Sequence, residues 1–196
     1  MDIGSLARRI AAAGFIAVAC TGALAAGFEA PAGWRKESFT FPLPYAPSLP
    51  YAGTEEVRFS PQWAHFDAPD GFTYAVLWDI KPTLTDGLAL ERALSVYFDG
   101  LMNNVARARK VDAMVPQTQV ELHPLASPEG WSGAYAGAIH TWNGFARAEP
   151  LVLNAEIAYR GCGERLQVFM GLSKAPRAAS AWESLRALRA ATRCPG

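Results

Sequence analysis

Alternation of apolar and polar positions is strongest between residues 130 and 175, where three stretches read as strands: 131–142, 151–160 and 166–172. Side chains along a strand point alternately to opposite faces. Trp131, Tyr135 and Ile139 are therefore expected on one side of the first, with Ala134, Ala136 and Ala138 on the other. Leu151, Leu153, Ala155, Ile157 and Tyr159 share one face of the second, opposite Val152, Asn154, Glu156 and Arg160. Leu166, Val168, Met170 and Leu172 line the third. Gly144-Phe145-Ala146 and Gly161-Cys162-Gly163 separate them, as the short links of an antiparallel meander do.

The N-terminal half carries the same period more briefly. Residues 34–41 alternate and read as a first strand, and residues 55–60 as a second with Val57 and Phe59 inward. Between them Pro42, Pro44, Pro47 and Pro50, with Tyr45 and Tyr51 beside them, predict an extended, partly polyproline arm. Proline gives no N–H to a ladder, so the arm belongs at a sheet edge or over a surface. After the Asp67-Ala68-Pro69-Asp70-Gly71 turn signal, Phe72, Tyr74, Val76, Trp78 and Ile80 recur at period two and make a third strand. Residues 119–123 add another short one.

The period then changes from 2 to 3.6. Leu90, Leu94, Tyr97, Phe98, Leu101, Met102 and Val105 form one face of a helix running from a cap at Thr85 or Asp86 to about Arg107. Gly100 is a weak point in it, by about 1 kcal/mol relative to Ala. Arg107, Arg109 and Lys110 gather where positive charge suits the helix dipole. Ser180-Ala-Trp-Glu183 has the form of a capping box and opens a C-terminal helix to about Arg193. There Trp182, Leu185 and Leu188 face inward and Glu183, Arg186 and Arg189 outward. The order strands, helix, strands, helix predicts an α+β domain: an antiparallel sheet with helices packed on it.

Composition fits a single compact domain. The chain has 196 residues, 51% of them apolar, enough to bury a core without a metal or several disulfides. Its 18 basic and 18 acidic residues balance. The first 25 residues have the layout of a secretory signal: Arg8 and Arg9, an apolar run over residues 10–19, then Ala23-Leu24-Ala25 with small residues where a signal peptidase reads. Removing that leader takes away Asp2, Arg8 and Arg9 and leaves 16 basic against 17 acidic residues. Such a balance gives no reason to expect nucleic acid or an anionic membrane as partner. The apolar run is shorter than the roughly 20 residues of a membrane span, so none is expected in the mature chain, residues 26–196. Ala17-Val18-Ala19-Cys20 resembles a bacterial lipobox, with Ala17 where Leu or another branched residue is usual. On that second reading Cys20 is a lipidated N-terminus. Either way the protein is expected in the periplasm or secreted, soluble or tethered through Cys20.

The element order, the closing strand and the helix carrying Trp182 resemble the PsbP-like fold, an α/β/α sandwich. Phe41-Pro-Leu-Pro-Tyr-Ala-Pro, Glu55-Glu-Val-Arg-Phe, Leu90-Glu-Arg followed by Tyr97-Phe, and Pro150-Leu-Val-Leu-Asn resemble an uncharacterised group of exported proteobacterial proteins. The resemblance covers most of residues 39–194. It implies fold and export and no particular chemistry.

Candidate chemistry is sparse. Gly130-Trp131-Ser132-Gly133-Ala134 nearly matches the Gly-x-Ser-x-Gly elbow of α/β-hydrolases, but that elbow needs a strand before the serine and a helix after it. Here a loop leads into a strand, with Gly133 marking a close approach. A serine hydrolase would use Ser132 with His140 or His123 and an acidic partner. His65, Asp67 and Asp70 form the one local cluster of metal-type ligands, in a loop where such groups are ordinarily solvated. Glu55, Glu56 and Glu156 cannot be paired as acid and base from spacing alone. There is no Walker loop, dinucleotide fingerprint or Cys-x-x-Cys, and no cofactor is expected. With Cys20 removed, Cys162 and Cys194 remain as an even pair in an oxidising compartment and are expected to form a disulfide. The functional expectation is an exported, non-enzymatic module that binds a protein or small ligand; its conspicuous aromatics Trp34, Tyr45, Tyr51, Trp63 and Trp142 mark a binding surface where they are exposed and belong to the core where they are not. The alternatives are the hydrolase and a structural envelope component.

Overall fold

The computed structural model describes residues 28–81, 86–110, 117–145 and 149–195. The leader, Cys20 and Thr85 lie outside them. The fold is α+β. Seven strands, β1 (Arg35–Phe41), β2 (Ala52–Phe59), β3 (Tyr74–Lys81), β4 (Gln119–Leu125), β5 (Gly133–Asn143), β6 (Glu149–Cys162) and β7 (Arg165–Ser173), form one sheet in the order β1-β2-β3-β7-β6-β5-β4. Every neighbouring pair is antiparallel. Helix α1 (Gly87–Ala108) follows β3 and helix α2 (Ala181–Ala191) follows β7. Two meanders thus meet at β3 and β7, and α1 carries the chain from the middle of the sheet to its far edge.

Each helix covers a different face. Val76, Trp78 and Ile80 of β3, Val168 and Met170 of β7, Leu153 and Ile157 of β6 and Ile139 of β5 pack with Leu90, Leu94, Tyr97, Phe98 and Met102 of α1. The opposite residues of the same strands, Ala75, Leu77, Phe169 and Ala158, pack with Trp182, Leu185 and Leu188 of α2. The period-two sets read from β3, β6 and β7 and the 3.6-period stripe of α1 therefore reach the core as expected. Asp86 caps α1, accepting from the Ala89 amide at 2.7 Å.

Four expectations change. Trp131 joins the α2 face and not Tyr135 and Ile139, because β5 begins only at Gly133 and a turn closed by Trp131 N to Pro128 O precedes it. Alternation holds only where the backbone is extended. The capping box does not form: Ser180 has helical φ and ψ and makes no side-chain cap bond. Arg186 and Arg189 are drawn inward, both onto Glu156. The proline arm folds into turns, Ala46 N to Leu43 O and Leu49 N to Ala46 O, and not into polyproline. The reason is apolar spacing: Leu43, Ala46 and Leu49 recur every third residue and all three are buried.

The arm, called the strap below, lies against α1, which gives Gly100 a role that propensity misses. A Cβ there would sit 1.9 Å from the Tyr45 carbonyl oxygen. Gly100→Ala is expected to destabilise by about 1–2 kcal/mol, since a clash of that kind outweighs the helix-propensity gain of about 1 kcal/mol. Urea unfolding measures it, and a stabilised variant would show that the strap does not press on the helix.

Cys162 and Cys194 form a disulfide, with Cα atoms 5.6 Å apart. Cys162 is the last residue of β6, before the Gly163-Glu164 turn. Helix α2 ends at Ala191 and an extended Thr192 leads to Cys194. The bridge ties this tail to the β6–β7 hairpin. Among the described residues no helix is long and apolar enough to cross a membrane.

Candidate functional site

Face two of the sheet, the one α2 packs on, is longer than the helix. Trp182, Leu185 and Leu188 cover its β3–β7–β6 portion, and the β5–β4 portion extends beyond them. There Ala134, Ala136 and Ala138 of β5 face Leu125, His123 and Glu121 of β4 across the ladder. Ala134 is buried in the α2-side core, and the small residues that follow it on β5 form the base of a shallow recess, with Ala136 itself buried. The result is an open cleft of about 410 Å³ lined by His123, Pro124, Leu125, Ala136, Glu156, Arg177 and Arg186.

Its charge is set by one buried acid. Glu156 stands opposite Ala136 on the neighbouring strand and is 7% exposed. Arg186 grips both its oxygens, at 3.1 Å from Nε and 2.5 Å from Nη2, and Arg189 Nη1 adds a contact at 3.4 Å. Glu156 in turn holds the Arg186 guanidinium above its usual pKa. Glu183 also acts on the Arg186 guanidinium, so the two arginines face two acids, and the positive charge at the rim is Arg177, exposed and in no ion pair among the described residues. Glu121 lies one row along the sheet and does not line the cleft. Leu125 and Val152, on the same face, are among the few large apolar side chains left exposed, at 42% and 44%.

The edge beyond the cleft is closed to strand addition. The Leu122 amide points away from β5 and donates to Glu91 Oε1 of α1 at 2.7 Å. Two residues on, the same side of the strand carries Pro124, which has no N–H to offer. What this end of the sheet leaves open is therefore its face, not its edge.

The hydrolase residues are spread out. Ser132 is exposed and precedes β5, its amide bonded to the Tyr159 carbonyl at 2.9 Å, with strand and not helix after it. From Gly133 to His140 the strand runs seven residues, roughly 23 Å. His123 pairs with Ala136, so it lies roughly 10 Å along β5 and one strand across from the serine side. Neither histidine is within the ~3 Å reach of a general base. Gly133 does mark a close approach, to the Tyr159 ring. His65 and Asp67 are exposed and Asp70 half-buried in their loop, and among the described residues no three His, Cys, Asp or Glu side chains are grouped to hold a metal.

Of the two readings open for the conspicuous aromatics, packing against the core is the one found. Trp142 is buried, and Tyr45, Tyr51 and Trp63 pack against the α1-side core, with Trp34 against the other.

A second unusual group lies inside the core. Glu55 of β2 shares the inward face with Val57 and is 0% exposed. Its Oε1 accepts from Tyr45 of the strap at 2.6 Å and from Tyr97 of α1 at 3.3 Å, and its Oε2 from the Trp78 indole at 2.7 Å. Its neighbour Glu56 points to the other face and pairs with Arg58. The period that turns Val57 and Phe59 inward places Glu55 inward too, so this buried acid was legible from the alternation.

No family model matches the chain, and no curated protein or solved structure is significantly similar to it.

Proposed function

We propose that this is an exported, non-enzymatic binding domain that takes a small organic acid into the cleft between β4, β6 and α2. The carrying observation is the open cleft over Ala136, with the exposed Arg177 and the open side of Arg186 at its rim. An anionic head would meet Arg177 and the open side of Arg186, whose side chain is 42% exposed, and a short apolar body would lie over Ala136 towards Leu125. A volume of about 410 Å³ suits a small ligand, since such sites run from about 300 to 1,000 Å³. Export into the periplasm rests on the signal-like residues 1–25 and is supported by the disulfide, which persists in an oxidising compartment. Lipidation at Cys20 is the variant of that reading. A helix on each sheet face accords with the PsbP-like order, and membership of an exported proteobacterial group remains part of the proposal.

Titration calorimetry with octanoate and octylamine tests the site. Octanoate is expected to bind and octylamine not, with octanoate weakened at least tenfold by Arg177→Glu and by Ala136→Leu. Equal binding of acid and amine, or an unchanged affinity in both variants, would contradict the proposal.

A further inference from the structure

We propose that Arg160 and Arg193, brought together by the Cys162–Cys194 bridge, form an anion site for a phosphate or phosphomonoester dianion. The inference does not rest on the cleft: Glu156 and Arg160 are four residues apart along β6, roughly 13 Å.

Arg160 lies in the α2-side row of the sheet and faces Gln167 across the β6–β7 ladder. Gln167 is fully buried and uses both ends of its amide. Its Oε1 accepts from Arg160 Nε at 3.1 Å and Nη2 at 2.9 Å, and its Nε2 donates to the Arg193 carbonyl at 3.2 Å. The Arg160 guanidinium also lies 4.3 Å above the ring of the buried Trp131, and its Nη1 reaches the Gly130 carbonyl at 3.5 Å. An arginine loses rotamer freedom when it grips a ligand, and this one is already held.

Arg193 arrives from the other side. It follows the last turn of α2 and is exposed, and the next residue, Cys194, is bridged to Cys162, two places beyond Arg160. Its Nη1 serves the Ala190 and Thr192 carbonyls at 2.5 Å and 3.0 Å. Its Nε and Nη2 make no hydrogen bond among the described residues. A guanidinium carries N–H groups on every nitrogen, so both arginines keep donors for a ligand.

Their charges are not cancelled. Among the described residues Arg165 is matched by Asp79 and Lys81 by Glu164, while Arg160 and Arg193 are in no ion pair, Glu129 beside Gly130 included. Burial, and after it the charge of Arg193, pulls the Arg160 guanidinium below its usual pKa. Two like charges held close destabilise the folded chain, and a dianion between them turns that repulsion into attraction. The planar fork of a guanidinium suits a phosphoryl group, donating parallel N–H bonds to two of its oxygens. A carboxylate brings one charge and leaves the second cation unmatched.

Amide chemical-shift titration with inorganic phosphate reads the site, at constant ionic strength and about pH 8, where phosphate is mostly dianionic. Saturable shifts are expected at Gly130, at residues 160–163 and 192–194, and at the Gln167 side-chain amide, with acetate binding about tenfold more weakly or worse. Arg160→Gln and Arg193→Gln should each weaken phosphate by a similar factor. Cys162→Ser with Cys194→Ser keeps both arginines but unties them, and should weaken phosphate too while the indole signal of the buried Trp182 reports a folded domain. Shifts that do not saturate, acetate binding as tightly as phosphate, or an affinity unchanged in either arginine variant would overturn the site. An unchanged affinity in the folded serine variant would overturn the role of the bridge. Glycerol phosphate and vesicles containing phosphatidic acid carry the same head. Binding of the first alone assigns a free ligand, co-sedimentation with the second assigns a lipid headgroup, and failure of both would overturn the proposal.

Discussion

Replacing Arg58 with Met is expected to lower the unfolding free energy by about 3–5 kcal/mol, the range for breaking one side of a buried ion pair. Arg58 and Glu56 both lie on the α2 side of β2, with side chains 6% and 8% exposed. The guanidinium donates to Glu56, to the Phe28 carbonyl from Nε at 3.1 Å and Nη2 at 2.7 Å, and to the Val57 carbonyl at 3.1 Å. It also lies 4.5 Å above the Phe28 ring, and that ring meets Phe169 edge-on at 6.0 Å. One side chain thus neutralises a buried acid and fastens the segment entering the domain. Met keeps the volume and leaves Glu56 and the Phe28 carbonyl without their donor. Adding Glu56→Leu should recover much of the loss, because removing both charges removes the unpaired one. Urea unfolding of the two variants decides it. A single substitution costing under about 1 kcal/mol, or a double worse than the single, would show that the pair does not hold the segment.

Removing the disulfide should have an effect of similar size. The bridge joins residues 32 apart, for which the chain-entropy relation gives about 3.5–4 kcal/mol. Cys162→Ser with Cys194→Ser is expected to lose most of that and to raise hydrogen exchange in the last turn of α2, which the bridged tail continues. The Thr192 hydroxyl still bonds the Leu188 carbonyl at 2.8 Å, so the helix itself should persist. Loss of less than about 1 kcal/mol would mean that the unfolded chain gains little freedom when the bridge is cut. Two free thiols in the unreduced native chain would contradict the bridge itself.

Legibility of the fold follows the regularity of the backbone. Where the chain is extended or helical for many residues, as in β3, β6, β7 and α1, one period fixes every side chain's face. The reading fails within a residue or two of a turn. Period two carried back from Tyr135 to Trp131 crosses a bend, and the prolines of the strap suggest an extended arm although its buried Leu43, Ala46 and Leu49 set its shape. Ser180 met the spacing of a capping box without the backbone angles that let its hydroxyl reach back. Pairings between distant elements left no local trace. Arg186 and Arg189 read as outward on their helix because Glu156, 30 residues away for Arg186, could not be seen beside them. The cleft was half legible, since the alanine face with His140 was evident in the sequence of β5. That α2 stops short of that face depends on how the helix sits across the sheet, which no spacing encodes.

Amide chemical-shift mapping with octanoate addresses the binding account most directly. Saturable shifts confined to β4, β5, β6 and the segment around Arg177, absent in Arg177→Glu, are the expected result. Shifts clustered instead at the strap and α1, or none at millimolar ligand, would contradict a binding site on the uncovered face.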